Sequence, residues 1–409
     1  MESMSKETIK KWLSIEDQIQ LLKDRNLIIE DEIYSKNILS RISYYRLISY
    51  RFPFCNENDK NLFKDDAKFE DLVNLYNKDS KYQALLYQVL KEIEVLLRTQ
   101  LIYWFSQKDL WFYKDKKHFN FLGEEANKKK NSYMKQVNNS VYNDKNIHIH
   151  YYIEQHDKNE APYKSKDCKH DYKATKLFCD TCKKNKDTKE KFCKSCNVKL
   201  TLKRLCNCYP QAWVALESFD FGMLIDLYSG LNGFIKNDFN IGNDLSKYLD
   251  SESQFSKFFS IDSKYLLDKN KKSQNKKSPL LDLLQDVKRI RNIVAHHDKI
   301  IGRYSFKESK SIIFLKRYYK DNNDIKNLLV KEINTINSKK SSTFLPYFLV
   351  IKYFLDILFK KENNLGDQDN IFTEFLELSK DAFYNKSLSL DELPEEFFEP
   401  ARENTRIVD

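Results

Sequence analysis

Apolar side chains recur every three to four residues through most of this chain, the spacing of helices packed along one face. Ser14-Ile-Glu-Asp-Gln reads as a capping box, with Asp17 in the place that Glu or Gln usually takes, and it opens a helix carrying Ile15, Ile19 and Leu22. A second helix sets Ile38, Leu39, Ile42 and Tyr45 on one face. Asp79 or Ser80 then caps a long helix reaching about Phe105. Its apolar residues, Tyr82, Leu86, Val89, Leu90, Ile93 and Leu97 among them, lie on more than one face, so it is expected to be buried. Glu94 and Arg98 are i,i+4 on it and can pair.

The pattern breaks over residues 112–210, where alternation at Ile147, Ile149, Tyr151 and Ile153 predicts one short strand. It resumes at Pro210-Gln-Ala-Trp213 and runs through Tyr228, with Gly222 marking a bend or a close helix contact. Residues 236–278 are polar and predict a loop. Ser278 as N-cap and Pro279 at the first helical position open the next helix. Leu280, Leu284, Val287 and Val294 form its stripe, and Gly302 is its expected stop. Ile312–Tyr319, Leu328–Ile336 and Leu345–Phe359 supply further helices or one strand, and 388–409 is a weakly patterned arm.

Composition agrees with a mainly α protein. Only 7 Gly and 7 Pro occur in 409 residues, too few for many tight turns. Met1 to Lys11 is charged and lacks the apolar core of a secretory leader. The most apolar run, Phe344 to Phe359, contains Lys352 and Asp356 and is too short for a bilayer. A cytoplasmic protein with no membrane association is expected. Residues 114–208 hold 22 Lys and 1 Arg against 12 Asp and Glu, whereas 361–409 hold 5 basic and 13 acidic residues. Such a basic block beside an acidic one points to a polyanion partner.

Seven of the 8 Cys lie between 168 and 208; the eighth, Cys55, reads as a small core residue. Two CxxC pairs, Cys179/Cys182 and Cys193/Cys196, have the spacing of a four-cysteine zinc ribbon. Cys168, His170, Cys206 and Cys208 flank them as a second site or as alternative ligands. Four protein ligands leave no open position, so the zinc is expected to be structural.

Near the end of the helix begun at Ser278 stands Arg-Asn-Ile-Val-Ala-His-His, Arg291 to His297. RNA is cleaved without metal when its 2′-OH attacks the adjacent phosphate. A histidine can move the proton and an arginine can hold the phosphorane. Arg291 and His296 are candidates for these roles, with Asn292 placed to orient the imidazole, and His297 is a further candidate for contact with RNA. Arg291 and His296 lie roughly 140° apart around the helix, so a cleft between two copies of this helix serves better than one, and a homodimer is expected. Arg41, Tyr45, Arg46 and Arg51 interleave cations and rings as a second candidate RNA surface.

The chain resembles the abortive-infection proteins of the AbiD/AbiF type, predicted HEPN-domain RNases. The matching stretches, in order, are Ser14-Ile-Glu-Asp-Gln-Ile-Gln-Leu-Leu-Lys, Ile42-Ser-Tyr-Tyr-Arg-Leu-Ile-Ser-Tyr with Phe52-Pro-Phe, Phe69-Glu-Asp-Leu-Val-Asn-Leu-Tyr with Glu92-Ile-Glu-Val-Leu-Leu-Arg98, Pro210-Gln-Ala-Trp-Val-Ala-Leu-Glu-Ser-Phe-Asp-Phe-Gly, and the motif itself. The resemblance implies a HEPN-like helical bundle, from which this chain departs by a zinc-ribbon insert where such proteins usually have a short variable connection. The first part of the bundle falls in 1–122, the Lys-rich insert in 123–209, the second part with the motif in 210–360, and an acidic arm in 361–409. It implies a metal-independent endoribonuclease toxin of anti-phage defence, related to the HEPN nucleases of RNA-guided effectors. A small non-coding RNA, as guide or antitoxin, is an expected partner. The alternative is a non-catalytic protein that holds a small RNA through the HEPN pocket and the basic insert.

Overall fold

A computed structural model describes residues 12–114, 125–141, 210–237, 253–261, 278–301, 306–339, 341–361 and 367–383, three strands at 175–179, 184–186 and 201–204, and a few isolated positions. The described chain is mainly helical. In order it forms α1 (Ile15–Asp24), α2 (Glu32–Arg41), α3 (Tyr44–Ile48), α4 (Phe69–Ser106) and α5 (Ala126–Val141). Three strands follow, β1 (Thr175–Cys179), β2 (Lys184–Lys186) and β3 (Thr201–Arg204). Then come α6 (Ala212–Ala215), α7 (Phe221–Asn237), α8 (Pro279–Ala295), β4 (Phe306–Lys307), α9 (Ile312–Tyr318), α10 (Asn323–Lys339), β5 (Ser341–Ser342), α11 (Leu345–Lys361) and α12 (Asp367–Phe383). The chain divides into two units, Met1–Leu90 with Arg289–Asp409, and Lys91–Lys288.

In the first unit, the capping box at Ser14 forms as expected: Ser14 Oγ accepts from the Asp17 amide at 3.1 Å, and the Ser14 amide donates to Asp17 Oδ2 at 3.3 Å. Ile19, Leu22, Ile38, Leu39, Leu47, Phe63, Phe69 and Leu72 share one apolar cluster. α2 stops at Arg41, and Ser43 caps a new helix by accepting from the Arg46 amide. Tyr45 therefore leaves the face expected for it and stands 68% exposed, while Tyr44 packs on the cluster. Cys55 is buried, as a core residue should be. α9, α10 and α11 are helices, which settles the helix-or-strand alternative for these segments. α11 is buried along most of its length, and the Lys352 ammonium pairs with the Asp356 carboxylate one turn on, so neither charge is buried alone. α12 packs through Phe375, whose ring stacks on Tyr82 at 5.4 Å. No described helix is long and apolar enough to cross a membrane.

α4 starts at Phe69, ten residues before the expected cap, and its 38 residues make Asp79 an interior position. Leu72 and Val73 are buried on this added length, so the polar run from Asn77 to Ser80 is a stripe on the helix and not its end.

In the second unit, the helical pattern extends into the segment expected to lack it. α5 buries Tyr133, Met134, Val137 and Val141 and packs on α7. Ile149 is helical and buried, so the strand expected there does not form at that position. The described strands of this segment are β1, β2 and β3, an antiparallel sheet in the order β2-β1-β3. α6 passes into a 3-10 turn, Leu216–Ser218, and the helix break falls at Phe219–Asp220. Asp220 caps α7, its Oδ1 accepting from the Met223 amide at 2.9 Å. Gly222 lies in the first turn of α7, where an added Cβ would stand 2.9 Å from Lys288 Nζ, the end of a flexible side chain. The polar stretch expected as a loop holds a helical run at 253–258, with Phe255 and Phe259 buried.

Glu94 and Arg98 pair at 3.0 Å as expected. Arg98 also donates from Nε to the Leu216 carbonyl at 3.1 Å and from Nη2 to the Phe219 carbonyl at 3.0 Å. It thus satisfies carbonyls where the 210–222 segment leaves its first helical turns.

Candidate functional site

The site is built on the last turns of α8. Leu280, Leu284, Val287 and Val294, the predicted stripe, are all buried, as are Leu283 and Ile290. The opposite side of the final turns is left to the motif: Asn292 and His296 are exposed and Arg291 half-buried. Among the described residues, the side chains of Arg291, Asn292 and His296 make no hydrogen bond and no ion pair. Asn292 and His296 are joined only through the backbone, His296 N to Asn292 O at 3.0 Å, so the amide does not orient the imidazole here.

The helix ends at Ala295, not at Gly302. His297 carries φ 55°, in the left-handed region that glycine usually fills. The Asp298 amide donates to Ile293 O at 3.0 Å and the His297 amide to Val294 O at 3.0 Å. These two bonds define a Schellman stop with histidine in the glycine position. The chain turns sharply there and leaves His296 and His297 side by side at the surface.

Two side groups fix this turn. Arg46, on α3, donates from Nη1 to the His297 carbonyl at 2.9 Å. Lys299 donates to the Ser49 carbonyl, and its ammonium lies 5.5 Å from the centre of the Tyr50 ring. Below them Asp79, fully buried on α4, accepts four donors. They are Tyr50 Oη at 2.7 Å, Gln83 Nε2 at 2.7 Å, Ile301 N at 2.8 Å and Ile300 N at 3.2 Å. Burial pushes the Asp79 carboxyl up, and these hydrogen bonds pull it the other way. Burial, with the Asp79 charge beside it, pushes the Tyr50 hydroxyl up, which keeps it a proton donor. Burial lowers the Lys299 ammonium, with Asp79 opposing.

Of the other expected RNA-contact residues, Arg46 reaches the motif through its backbone and Tyr45, exposed, follows Tyr44 in the same helix. Arg41 Nε turns back to the Asn37 carbonyl at 3.3 Å, and Arg51 is half-buried before a 3-10 turn; neither touches the motif. The zinc candidates Cys168, His170, Cys182, Cys193, Cys196, Cys206 and Cys208 lie outside the described residues, and Cys179 is described only as the last residue of β1.

Lys299 is not singled out by the sequence, and Asp79 reads there as a helix cap. A carboxylate ten residues into an apolar helix is a signal, because a buried charge needs donors. The sequence does not say that those donors are amides more than two hundred residues away. The arrangement offers a fixed guanidinium and two surface imidazoles on a braced turn, with no carboxylate bonded to them among the described residues. Such a set can bind a phosphodiester and supply an imidazole for proton transfer.

No curated protein and no solved structure matches the chain. One family model does, described as Abi-like protein, over residues 37–302. Its span takes in α3, Asp79 and the whole motif, and ends one residue past the last amide that Asp79 holds. With well over half of the sequence inside that span, the chain belongs to the Abi-like family of abortive-infection proteins.

Proposed function

We propose that this protein is a metal-independent endoribonuclease toxin of an anti-phage abortive-infection system, cytoplasmic and built on a HEPN-like bundle. The observation that carries the reading is the braced end of α8, where Arg291, Asn292 and His296 have side chains not engaged by other described residues. The 2′-oxygen of the substrate attacks phosphorus as its proton passes to a histidine, His296 in the first instance. The P–O5′ bond breaks, the leaving 5′-oxygen takes a proton, and a 2′,3′-cyclic phosphate remains. Arg291 neutralises the charge that grows on the phosphate oxygens. The roughly 140° between Arg291 and His296 is bridged when two copies of α8 face one phosphate, so the active form is a homodimer. A small RNA that occupies the same cations would hold the toxin silent.

Zinc enters as a structural ion. The register pairs Cys179 with Lys184, and in the sequence Cys182 falls between these two positions. That fits one knuckle of a ribbon, with Cys193 and Cys196 as the other. Cys168, His170, Cys206 and Cys208 form a possible second set. Bound zinc would order the segment around the sheet and take no part in cleavage.

The test is cleavage of labelled RNA by purified protein with chelator present, beside Arg291→Ala and His296→Ala. Cleavage by the parent alone, leaving 2′,3′-cyclic ends, is the expected result, with each variant down by at least about 100-fold. Tight RNA binding without cleavage by any form would instead favour a protein that only holds RNA.

A further inference from the structure

α3 has two sides with different uses. At roughly 100° per residue, Tyr44, Leu47 and Ile48 fall within one arc of about 100°, and Tyr45, Arg46 and Ser49 within the opposite one. The first side belongs to the core: Leu47 and Ile48 are buried, and Tyr44 packs on the apolar cluster. The second side carries Arg46, whose guanidinium donates to the His297 carbonyl at 2.9 Å. The Ser49 carbonyl accepts from the Lys299 ammonium, which ties the end of α3 to the same turn. Tyr45 shares that side and is 68% exposed. These residues and the motif from Arg291 to His297 all belong to the first unit.

An exposed tyrosine is common and by itself carries nothing. Two further observations separate this one. The first is that its ring is supported. It stands perpendicular to the Tyr44 ring, with 5.7 Å between centroids. Tyr44 is anchored in turn, because its hydroxyl accepts from Arg25 Nη1 at 3.0 Å. The Tyr45 hydroxyl bonds nothing among the described residues. A ring braced by a fixed neighbour and open to solvent loses little freedom when a ligand covers it.

The second observation is its company. Arg46 is the next residue, and a guanidinium carries several N–H donors, of which the His297 carbonyl takes one. His296 and His297 are both exposed. The neighbouring acid, Asp298, has its carboxylate 3.9 Å from Arg303 Nη1, so its charge is shared. An RNA nucleotide joins an anion to a flat ring, and cations beside an open tyrosine complement both. In a duplex each base is covered by its stacked neighbours, so only an unpaired base can use such a ring.

We infer that Tyr45 is the base platform of the site at the end of α8. It stacks on an unpaired base next to the phosphate that the Arg291–His297 turn engages, and so selects single-stranded RNA. The inference deepens the reading proposed above and rests on RNA as the ligand, but not on its being cleaved.

The probe is a labelled single-stranded RNA of mixed sequence, and the same RNA annealed to its complement. The protein is the full chain carrying His296→Ala, so that the RNA survives the titration. Tyr45→Leu keeps an apolar side chain and removes the ring. It is expected to weaken single-strand binding at least about fivefold, while duplex binding stays as it was. Tyr45→Phe should keep the starting affinity, because the hydroxyl bonds nothing. Both variants should unfold at the starting temperature, since the residue lies at the surface. Unchanged single-strand binding in Tyr45→Leu would overturn the inference, as would an equal loss on single strand and duplex or an equal loss in Tyr45→Phe. Loss of a dimer in Tyr45→Leu with RNA binding intact would assign the ring to a protein contact and overturn it too. Cleavage by the His296-containing parent, measured in parallel, reports on the nuclease reading separately. Cleavage with Tyr45-independent binding would keep that reading and sink this one, and no RNA binding by any form would overturn both.

Discussion

His297 and Asp79 show how a few residues make the end of α8 a defined object. A histidine at φ 55° costs up to about 1 kcal/mol relative to glycine, which has no Cβ to crowd the carbonyl. His297→Gly should therefore raise the thermal stability of the protein slightly. If His297 works on RNA, the same change should lower cleavage or binding; gain of stability with full activity would make the histidine dispensable. Asp79 carries the larger energy. Asp79→Ala removes the acceptor for Tyr50 and for the Ile300 and Ile301 amides and leaves those donors buried, at a cost of roughly 3 kcal/mol or more. A pH series gives the sign. The folded carboxyl is raised by burial, so the folded state binds the proton more tightly than the unfolded chain. Its contribution is fully present below the ordinary carboxylate pKa and is lost as pH rises through the folded value. Asp79→Asn should flatten that decline in stability with rising pH, read by thermal unfolding in a series of buffers.

Helices in this chain are legible where polar residues fall at their ends, and illegible where polar residues fall within them. Ser14 and Ser278 mark real starts, and the stripe from Leu280 to Val294 is buried as its spacing predicts. Asp79 and Ser80 looked like another start, but here the helix keeps its apolar face and turns the carboxylate inward to amides from a distant loop. Local pattern has no access to such a partner. Glycine supplies a test at this scale. An added Cβ at Gly230, on α7, would come within 2.6 Å of Phe119 and 3.0 Å of Phe121, both buried rings. Alanine gains about 1 kcal/mol of helix propensity, yet overpacking of this kind costs typically 1–3 kcal/mol. Gly230→Ala should lower the unfolding midpoint in denaturant; a rise would mean that the rings move aside freely.

At the scale of the whole molecule, the helical class and the family were legible in the sequence, and no described helix is long and apolar enough to cross a membrane. α5 was not legible in the sequence, because the lysines and asparagines of that helix outnumber its few buried positions, Tyr133, Met134, Val137 and Val141. Nor was the bracing of the motif, which joins residues 46–50 and 79 to 297–301. Light scattering at working concentration should find a dimer, and a monomer with full nuclease activity would remove the shared cleft. Metal analysis of protein purified without added metal should find one to two zinc ions per chain; a value well below one would remove the ribbon.

The Asp79 bonds also impose an order of events. They join positions 221 and 222 residues apart, and the Arg46 and Lys299 bonds beside them span 251 and 250. During synthesis, at roughly 5–20 residues per second, Asp79 leaves the ribosome tens of seconds before its amide partners exist. Until then the carboxylate has only local donors, and the turn after α8 has no floor. A nascent or truncated chain ending before Ile301 would thus carry the Arg291–His297 letters without the brace that positions them. The braced end of α8 can form only once nearly three quarters of the chain has been translated.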